Sequence, residues 1–321
     1  MPNALILGIT GYAGSALARH LVAGGWSVRG LGRSEQAAPE LDNLGVEVEL
    51  ADVLEPADLE GIGNPGDHVF YLIGSVTGAP AWVRRLGTQG VVNVHAALAG
   101  ASIASFTFVD TLAVYGGGSD DVITEDSPTR PNSVLGRVNL AAETRLRQAS
   151  TQDGFPARIV RAGTIYGPGR GTLNALREGR LRQIGGGANY MSRIQVDDLA
   201  LCLEAVAVRG RPGEVYLAVD DRPVSSATYF DHLAEAAGQD GPRVTPKPIA
   251  RALVSLFSFL ALVTRGASPL SHSVYALTTA SYRCSNAKLR DELGVELRYP
   301  THFDGIQALL QAEASDDRNL T

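Results

Sequence analysis

The chain has 321 residues, of which 45% are hydrophobic and 19% are charged, and its formal net charge is −6. This length is sufficient for a large core with a main domain and a smaller lobe. A mildly negative charge without a basic cluster argues against a nucleic-acid partner. The two cysteines, Cys202 and Cys284, form no metal-ligand spacing, so we expect no metal site and a reducing, cytoplasmic location. We also expect no signal peptide, because residues 1–3 lead straight into a strand.

A glycine-rich turn follows the first predicted strand. The apolar run from Ala4 ends at Gly8, a helical pattern begins near Tyr12, and the three glycines follow a GxxGxxG spacing. Such a turn lets the backbone approach a pyrophosphate, which the N–H groups at the helix start then bind. The alternative is a tight turn that serves packing alone. We predict a dinucleotide site with contacts from Gly8, Thr10, Gly11, Tyr12, Ala13 and Gly14.

Strand and helix patterns alternate along the first two thirds of the chain. Strands are predicted at 26–31, 46–50, 68–73, 106–109, 157–161 and 214–219, and helices at 12–24, 81–98, 133–149 and from Asp197, with an Asp as N-cap. This alternation predicts an α/β fold with a doubly wound parallel sheet of the Rossmann type. Ligands bind such sheets beyond the carboxyl ends of the strands.

The sequence predicts two lobes. We assign residues 1–166 and 196–220 to a cofactor-binding Rossmann domain, 167–195 and 221–313 to a smaller, mostly helical substrate lobe, and 314–321 to a flexible tail. The longest apolar stretch, Ile249–Val263, is shorter than the ~20 residues of a spanning helix, and Arg251 interrupts it. We interpret it as a core helix of the second lobe, with a membrane-surface or subunit-contact helix as the alternative.

The end of the second strand predicts the choice of cofactor. Arg33 and Ser34 stand where NAD-specific sites place an acidic residue, and they suit a 2′-phosphate, which favours NADP(H) over NAD(H). A solvated loop arginine is the alternative. Asp52 and Val53 follow the third strand, where a carboxylate meets the adenine amino group unless it is a simple turn aspartate. The other expected strand-end contacts are Gly74, Ser75, Gly163 and Thr164.

These features together resemble the extended short-chain dehydrogenase/reductases, the group of NAD(P)-dependent epimerases and dehydratases. The resemblance runs from Leu5 to about Leu310. The family implies the fold predicted above, a small-molecule substrate and a homodimer through the helices at 81–98 and 133–149. Its markers are the glycine turn, Asp52-Val53, Ala113–Gly116, Gly163–Gly169 and Val196–Ala200.

The chain departs from the family pattern at the catalytic acid–base pair. Family members use a Ser or Thr after the fifth strand and a Tyr-x-x-x-Lys pair on the next helix. The match places Thr111 at the hydroxyl position, Leu135 at the tyrosine position and Asn139 at the lysine position. The chain's two lysines, Lys247 and Lys288, are both far along the sequence. We therefore predict an atypical member without this pair, in which Asn139 bonds a ribose hydroxyl.

Other groups are candidates to replace the missing pair. We predict catalytic roles for Thr111, Asp110 and Tyr115. The alternatives are that Asp110 bonds loop N–H groups and that Tyr115 forms a pocket wall. We expect Tyr166 to be a wall residue and His95 to be a packing residue. Three arginines are candidates to meet an anionic group or to be solvated: Arg161, Arg170 and Arg193.

The sequence thus predicts an NADP(H)-binding oxidoreductase, epimerase or dehydratase with a diverged active site. Its substrate is expected to be a small carbonyl or hydroxyl compound, and we expect no membrane span. Two alternatives stay open: a non-redox isomerase or cyclase that uses the same cleft, and a binding protein that senses NADP(H) without turnover.

Overall fold

The computed structural model of the protein describes residues 1–33, 38–74, 80–117, 121–170, 172–264 and 272–319. Ser34 and Ser75, expected at the cofactor, lie outside these ranges. The strands are β1 (Asn3–Leu7), β2 (Ser27–Gly32), β3 (Glu47–Leu50), β4 (Asp67–Tyr71), β5 (Ser105–Thr111), β6 (Val122–Ile123), β7 (Ala157–Ala162), β8 (Thr164–Tyr166), β9 (Arg182–Ile184), β10 (Arg193–Gln195), β11 (Val215–Ala218), β12 (Arg243–Thr245) and β13 (Arg283–Cys284). The helices are α1 (Tyr12–Ala23), α2 (Ala38–Asp42), α3 (Pro80–Arg85), α4 (Val91–Leu98), α5 (Val134–Gln152), α6 (Thr172–Arg177), α7 (Val196–Arg209), α8 (Ser226–Ala237), α9 (Lys247–Thr264), α10 (His272–Thr279), α11 (Ala287–Leu293) and α12 (His302–Asn319).

A seven-stranded sheet forms the centre of the molecule. Its order is β11-β7-β5-β4-β1-β2-β3, and all neighbouring strands are parallel. The chain runs outward from β1 through β2 to β3, then returns to β4 on the other side of β1. This reversal between β1 and β4 is the point at which such sheets bind ligands. The predicted doubly wound Rossmann-type fold is confirmed.

Two apolar layers cover the faces of this sheet, because its strands carry apolar side chains on both sides. On one face α1, α7 and α11 contribute buried residues such as Leu17, Leu203 and Leu289. On the other face α4 and α5 contribute residues such as Val94 and Leu146. The cleft for a ligand is thereby left at the carboxyl edge of the sheet.

The second lobe has its own small core. Leu173 and Leu176 of α6 pack with Tyr229 and Leu233 of α8 and with Ile306 of α12. Two short parallel pairs, β8–β10 and β9–β12, lie between this core and the sheet. The predicted flexible tail begins at residue 314, whereas α12 continues to Asn319. Helix-favouring residues such as Ala312 to Ala314 are consistent with that extension.

From the sequence we interpret 249–263 as a core helix, but most of its described side chains are not buried. Among the described side chains, 249–260, only Ala250 and Val254 are buried, because the apolar residues span a wider arc of α9 than the side that packs. No helix among the described residues is long and apolar enough to cross a membrane. The membrane-surface and subunit-contact alternatives stay predictions. The exposed apolar side chains are Ile249, Leu253, Leu256, Phe257, Phe259 and Leu260.

Two helix details differ from the sequence prediction. The expected helix over 81–98 contains a π-helical turn, Leu86–Gly90, where the Tyr71 hydroxyl donates to the Leu86 carbonyl. The N-cap of α7 is Gln195 rather than an aspartate, since its side-chain oxygen accepts from the N–H groups of Asp197 and Asp198. The Asp198 carboxylate instead accepts from two backbone N–H groups of residues 298 and 299, which fixes that loop to α7.

Candidate cofactor and active site

The three glycines of the first turn have different roles. Gly8 has a φ of +90°, and a Cβ on Gly14 would lie only 2.8 Å from the Ile9 Cα, so the backbone requires glycine at both positions. Gly11 has an ordinary φ of −77°, and a Cβ there would approach only the Gly8 carbonyl oxygen, at 3.1 Å. Gly11 therefore borders open space. No side chain caps the start of α1, so its first N–H groups are available to an anion. This arrangement fits a dinucleotide pyrophosphate.

Two further glycines, which the sequence reasoning missed, make room for this turn. A Cβ on Gly32 would lie 2.6 Å from the Thr10 Cγ2, and one on Gly30 would lie 2.7 Å from the Ile9 Cβ. Glycine within a strand often marks a close approach of another segment, and that signal was present in β2. Thr10 is consequently packed over the end of β2.

Arg33 lies exposed just after β2, with its guanidinium carbon 4.9 Å from the centre of the Trp82 ring. Asp52 follows β3, and its Oδ1 accepts from the Leu54 N–H at 2.9 Å, as in a simple turn. The Val53 side chain is buried in the core, and its carbonyl accepts from Asn93 Nδ2. Gly74 is exposed after β4. Arg33 thus places an exposed positive charge at the end of β2, where it could bind a phosphate of the cofactor's adenosine.

Tyr12, at the start of α1, contacts the loop that follows β8. A Cβ on Gly167 would lie 2.5 Å from the Tyr12 hydroxyl oxygen, and the Arg170 guanidinium lies 5.0 Å from the centre of the Tyr12 ring. The hydroxyl is buried without a hydrogen-bond partner among the described residues, and burial raises the pKa of Tyr12 to about 12. Tyr12 therefore acts here as a neutral packing group, beside Ala13, which packs partly buried against the core.

Asp110 joins two of the predicted site residues. Its Oδ1 accepts from Asn139 Nδ2 at 2.8 Å and from the Thr111 N–H. The side chain is fully buried, and Oδ2 has no hydrogen-bond partner among the described residues. Burial, reinforced by the nearby negative charge of Glu143, raises the pKa of Asp110 well above its ordinary value. Asp110 thus holds Thr111 and Asn139 in place and has no open face toward a substrate.

The Thr111 side chain is half-buried at the carboxyl end of β5. Its Oγ1 accepts from the Ala113 N–H at 3.2 Å, because Thr111 caps the short 3-10 turn Leu112–Tyr115. A hydroxyl that accepts one bond keeps its own hydrogen free to donate. Asn139, also half-buried, lies beside it through their shared partner Asp110.

The position assigned to the family tyrosine is filled by an apolar side chain. Leu135 is 4% exposed and packs with Val83 and Ala113. Its helix begins with Ser133, whose Oγ accepts from the Gly136 N–H, so the register of α5 is fixed at this end. A proton donor is therefore absent at this position.

Tyr115 belongs to a buried network away from Thr111. Its hydroxyl donates to the Thr124 carbonyl at 2.9 Å and accepts from Arg161 at 2.6 Å. Arg161 also forms a two-pronged ion pair with the buried Glu143, at 2.7 and 3.0 Å. Arg161 is thus neither solvated nor free for a ligand. These bonds occupy the Tyr115 hydroxyl, so we do not include it in the reaction proposed below.

The remaining candidate residues, Gly163, Thr164 and His95, have different surroundings. Gly163 is buried, and a Cβ there would lie 2.8 Å from the Ser192 carbonyl oxygen, which explains the glycine by packing. Thr164 is exposed and, with Tyr166, lines a cavity toward the second lobe. His95 packs edge-on against Phe155. Among the described residues, no group of three His, Cys, Asp or Glu side chains is placed to hold a metal ion.

The chain is similar in sequence and in fold to known proteins. A ketoreductase of a farnesylated 3-oxo-dihydroquinoline-1-oxide from Stigmatella aurantiaca is 31% identical over 96% of this chain and 95% of its own. A 3-diazoavenalumate denitrifying reductase from a Streptomyces species is 28% identical over 91% and 99%. The structure of dTDP-glucose 4,6-dehydratase from Bacillus anthracis with NAD has a TM-score of 0.78 at 16% identity, over 99% and 98% of the two chains. Residues 4–218 match the model of one family, and the chain belongs to it: the NAD dependent epimerase/dehydratase family.

Proposed function

We propose that the protein is an NADP(H)-dependent reductase of a carbonyl group in a small substrate. The observation that carries this proposal is the uncapped glycine turn between β1 and α1, together with the Thr111 hydroxyl at the carboxyl end of the same sheet, which accepts from Ala113 and can still donate. The two sequence relatives named above, which match more than nine tenths of the chain, are reductases, whereas the dehydratase is a structural neighbour of only 16% identity. This difference favours reduction over epimerisation or dehydration. Arg33, in place of an acidic residue, favours NADP(H) over NAD(H).

The proposed cofactor residues lie along the carboxyl edge of the sheet. The α1 N-terminus would hold the pyrophosphate, Arg33 the 2′-phosphate, and Asp52 the adenine. Asn139 donates its Nδ2 hydrogen to Asp110, so its Oδ1 is left to accept from a ribose hydroxyl. Thr164 and Gly74 line the same edge. The nicotinamide, when bound, supplies or accepts a hydride.

In the proposed reaction, the Thr111 hydroxyl donates a hydrogen bond to the carbonyl oxygen. This bond stabilises the negative charge that develops on the oxygen as the carbonyl carbon is reduced. Water then supplies the proton that completes the alcohol, because Leu135 carries no proton to give. Asp110 acts through Thr111 and Asn139 as a positioning residue.

The test compares two substitutions at Thr111 across a panel of carbonyl substrates, with NADPH oxidation as the readout. Thr111→Val removes the donor and is expected to lower turnover by about 10²–10⁴-fold. Thr111→Ser keeps the hydroxyl and the turn cap, so its turnover is expected to stay within about tenfold of the parent. Equal turnover in the parent and the valine variant would contradict the role of Thr111.

One observation favours a second candidate, a protein that binds NADP(H) without turnover. The tyrosine position is filled by the buried Leu135, and the lysine position by an uncharged asparagine. This candidate predicts tight NADPH binding and no oxidation with any carbonyl of the panel. The parent protein's NADPH oxidation therefore separates the two candidates.

A further inference from the structure

A cavity of about 240 Å³ lies between the end of the sheet and the second lobe. Thr164 stands on its wall where the cleft opens, and Arg193 of β10 pairs beside it in the strand register. Tyr229 and Phe230 of α8 form the opposite wall. Thr164 is therefore a residue that this cavity shares with the proposed cofactor edge. Its volume is below the several hundred Å³ of most drug-sized sites, so it suits a compact ligand.

The wall of this cavity contains a buried cation that no described carboxylate contacts directly. Arg193 is 4% exposed, and its described side-chain contacts are with Met191 and Tyr229 rather than with a carboxylate. One guanidinium nitrogen donates to the Met191 carbonyl at 3.0 Å, and the group lies 3.4 Å from the centre of the Tyr229 ring. The other terminal nitrogen donates to the Met191 Sδ at 3.6 Å, and Tyr229 is a further hydrogen-bond partner. A guanidinium has five N–H donors in a planar fork, so part of its hydrogen-bonding capacity is left for a ligand.

The buried Asp220 carboxyl interacts with this charge through space, but the described contacts include no ion pair between the two side chains. Asp220 is bonded to β10 through its backbone N–H, which donates to the Arg193 carbonyl at 2.6 Å. Its own Oδ1 is buried without a partner among the described residues, and burial raises the pKa of its carboxyl. The Tyr166 hydroxyl, in the same wall, is likewise buried and without a partner in the described part of the chain. A buried charge is costly unless an anion pairs with it.

We propose that the substrate is a compact oxo acid whose carboxylate pairs with Arg193 while its carbonyl reaches Thr111. A carboxylate is planar and accepts two parallel bonds from a guanidinium, which matches the unused donors. The Streptomyces relative is named for a substrate that is itself a carboxylate. This inference rests on the proposed function, because the cavity serves the same reaction.

The test measures binding of matched acid and ester pairs to the protein saturated with NADP⁺, so that no turnover occurs. The probes are 4-oxopentanoate and 4-oxo-4-phenylbutanoate, each beside its methyl ester, in calorimetric titrations. We expect at least one acid to bind tenfold or more tightly than its ester. Arg193→Gln is expected to remove that preference, and Arg193→Lys to retain part of it. Arg243→Gln, which changes an exposed arginine of the second lobe outside the cavity lining, is expected to leave the preference unchanged.

A stability measurement covers the case in which no probe fits. Without a ligand, a desolvated guanidinium that no carboxylate contacts directly destabilises the fold, so Arg193→Gln is expected to raise the melting temperature of the ligand-free protein. Equal binding of acids and esters, or a lower melting temperature in Arg193→Gln, would overturn the assignment. NADPH oxidation with neutral ketones alone would refute only the oxo-acid inference. Absence of NADP⁺ binding would instead refute the proposed function.

Discussion

Asn139 and Asp110 are hydrogen-bonded at the position where the family resemblance predicts a lysine. The family resemblance predicts that Asn139 takes the lysine position, and the structure bonds it to the buried Asp110. The sequence predicts a catalytic role for Asp110, with bonds to loop N–H groups as the alternative; in the structure Asp110 accepts from the N–H of Thr111, the last residue of β5. The strand end of Asp110 could be predicted from sequence. Its full burial could not, because burial depends on α5 closing over β5.

The Arg33 side chain is predicted to set the choice of cofactor. Arg33→Ala removes a charge-assisted contact to the 2′-phosphate, so NADP⁺ affinity should fall by roughly tenfold to a hundredfold while NAD⁺ affinity stays unchanged. Calorimetric titrations with both cofactors measure this. Arg243→Ala, at an exposed arginine of the second lobe, serves as the control and should change neither affinity. Equal affinity of the parent protein for NADP⁺ and NAD⁺ would refute the assignment.

We predict that burial of Asp110 makes the free energy of unfolding depend on pH. Because burial raises its pKa in the folded state, the folded protein binds this proton more tightly than the unfolded chain does. The free energy of unfolding should therefore fall as the pH rises from the ordinary carboxyl pKa toward neutrality. Asp110→Asn keeps the oxygen that accepts from Asn139 but cannot titrate, so its stability should fall less. Urea denaturation of both proteins at pH 5 and 8 gives the comparison, and identical losses would contradict a raised pKa.

Among the elements, the turn between β1 and α1 contains glycines that differ in the space around them. Gly14 has no room for a side chain, whereas Gly11 borders open space at the helix start. The sequence motif predicts the turn but assigns all its glycines the same purpose. The distinction needs the positions of Gly8 and Ile9, which only the folded turn supplies.

Two substitutions test that separation. Gly14→Ala should lower the free energy of unfolding by about 1–3 kcal/mol through overpacking. Gly11→Val should leave the protein folded at a smaller cost and abolish NADPH binding, because its side chain occupies the space for the pyrophosphate. Chemical denaturation and calorimetry measure the two effects. Retained tight NADPH binding in Gly11→Val would mean that the turn serves packing alone.

Helix α9 shows the limit of hydrophobic patterns. An apolar run over 249–263 is typical of a buried helix, yet pattern alone does not say whether a neighbour covers it. We predict that Leu256→Ser, at a side chain 52% exposed, changes the free energy of unfolding by less than about 0.5 kcal/mol. Val254→Ser, at a side chain 3% exposed on the same helix, should cost about 1–3 kcal/mol. Similar losses in urea denaturation would show that the α9 face is covered in solution.

For the molecule as a whole, the doubly wound parallel sheet could be predicted from sequence, but the substrate lobe could not be described in detail. The sheet follows from apolar strands alternating with helices, a local pattern that survives without tertiary information. The cavity instead depends on Thr164, Arg193 and Tyr229, which are far apart in sequence and carry no common motif. Arg193 was predicted as a candidate anion contact or a solvated residue, and its burial excludes the second alternative. The homodimer through the helices at 81–98 and 133–149 stays a prediction.

The central claim is that this cleft transfers hydride from NADPH to a carbonyl without a tyrosine. The most direct measurement uses NADPH that carries deuterium at the transferable position of C4, with mass spectrometry of the product from a carbonyl panel that includes 4-oxo-4-phenylbutanoate. We predict that the parent protein forms an alcohol that contains the deuterium and that Gly11→Val forms no such alcohol. A product without deuterium, or bound NADPH that yields no alcohol from any member of the panel, would contradict it.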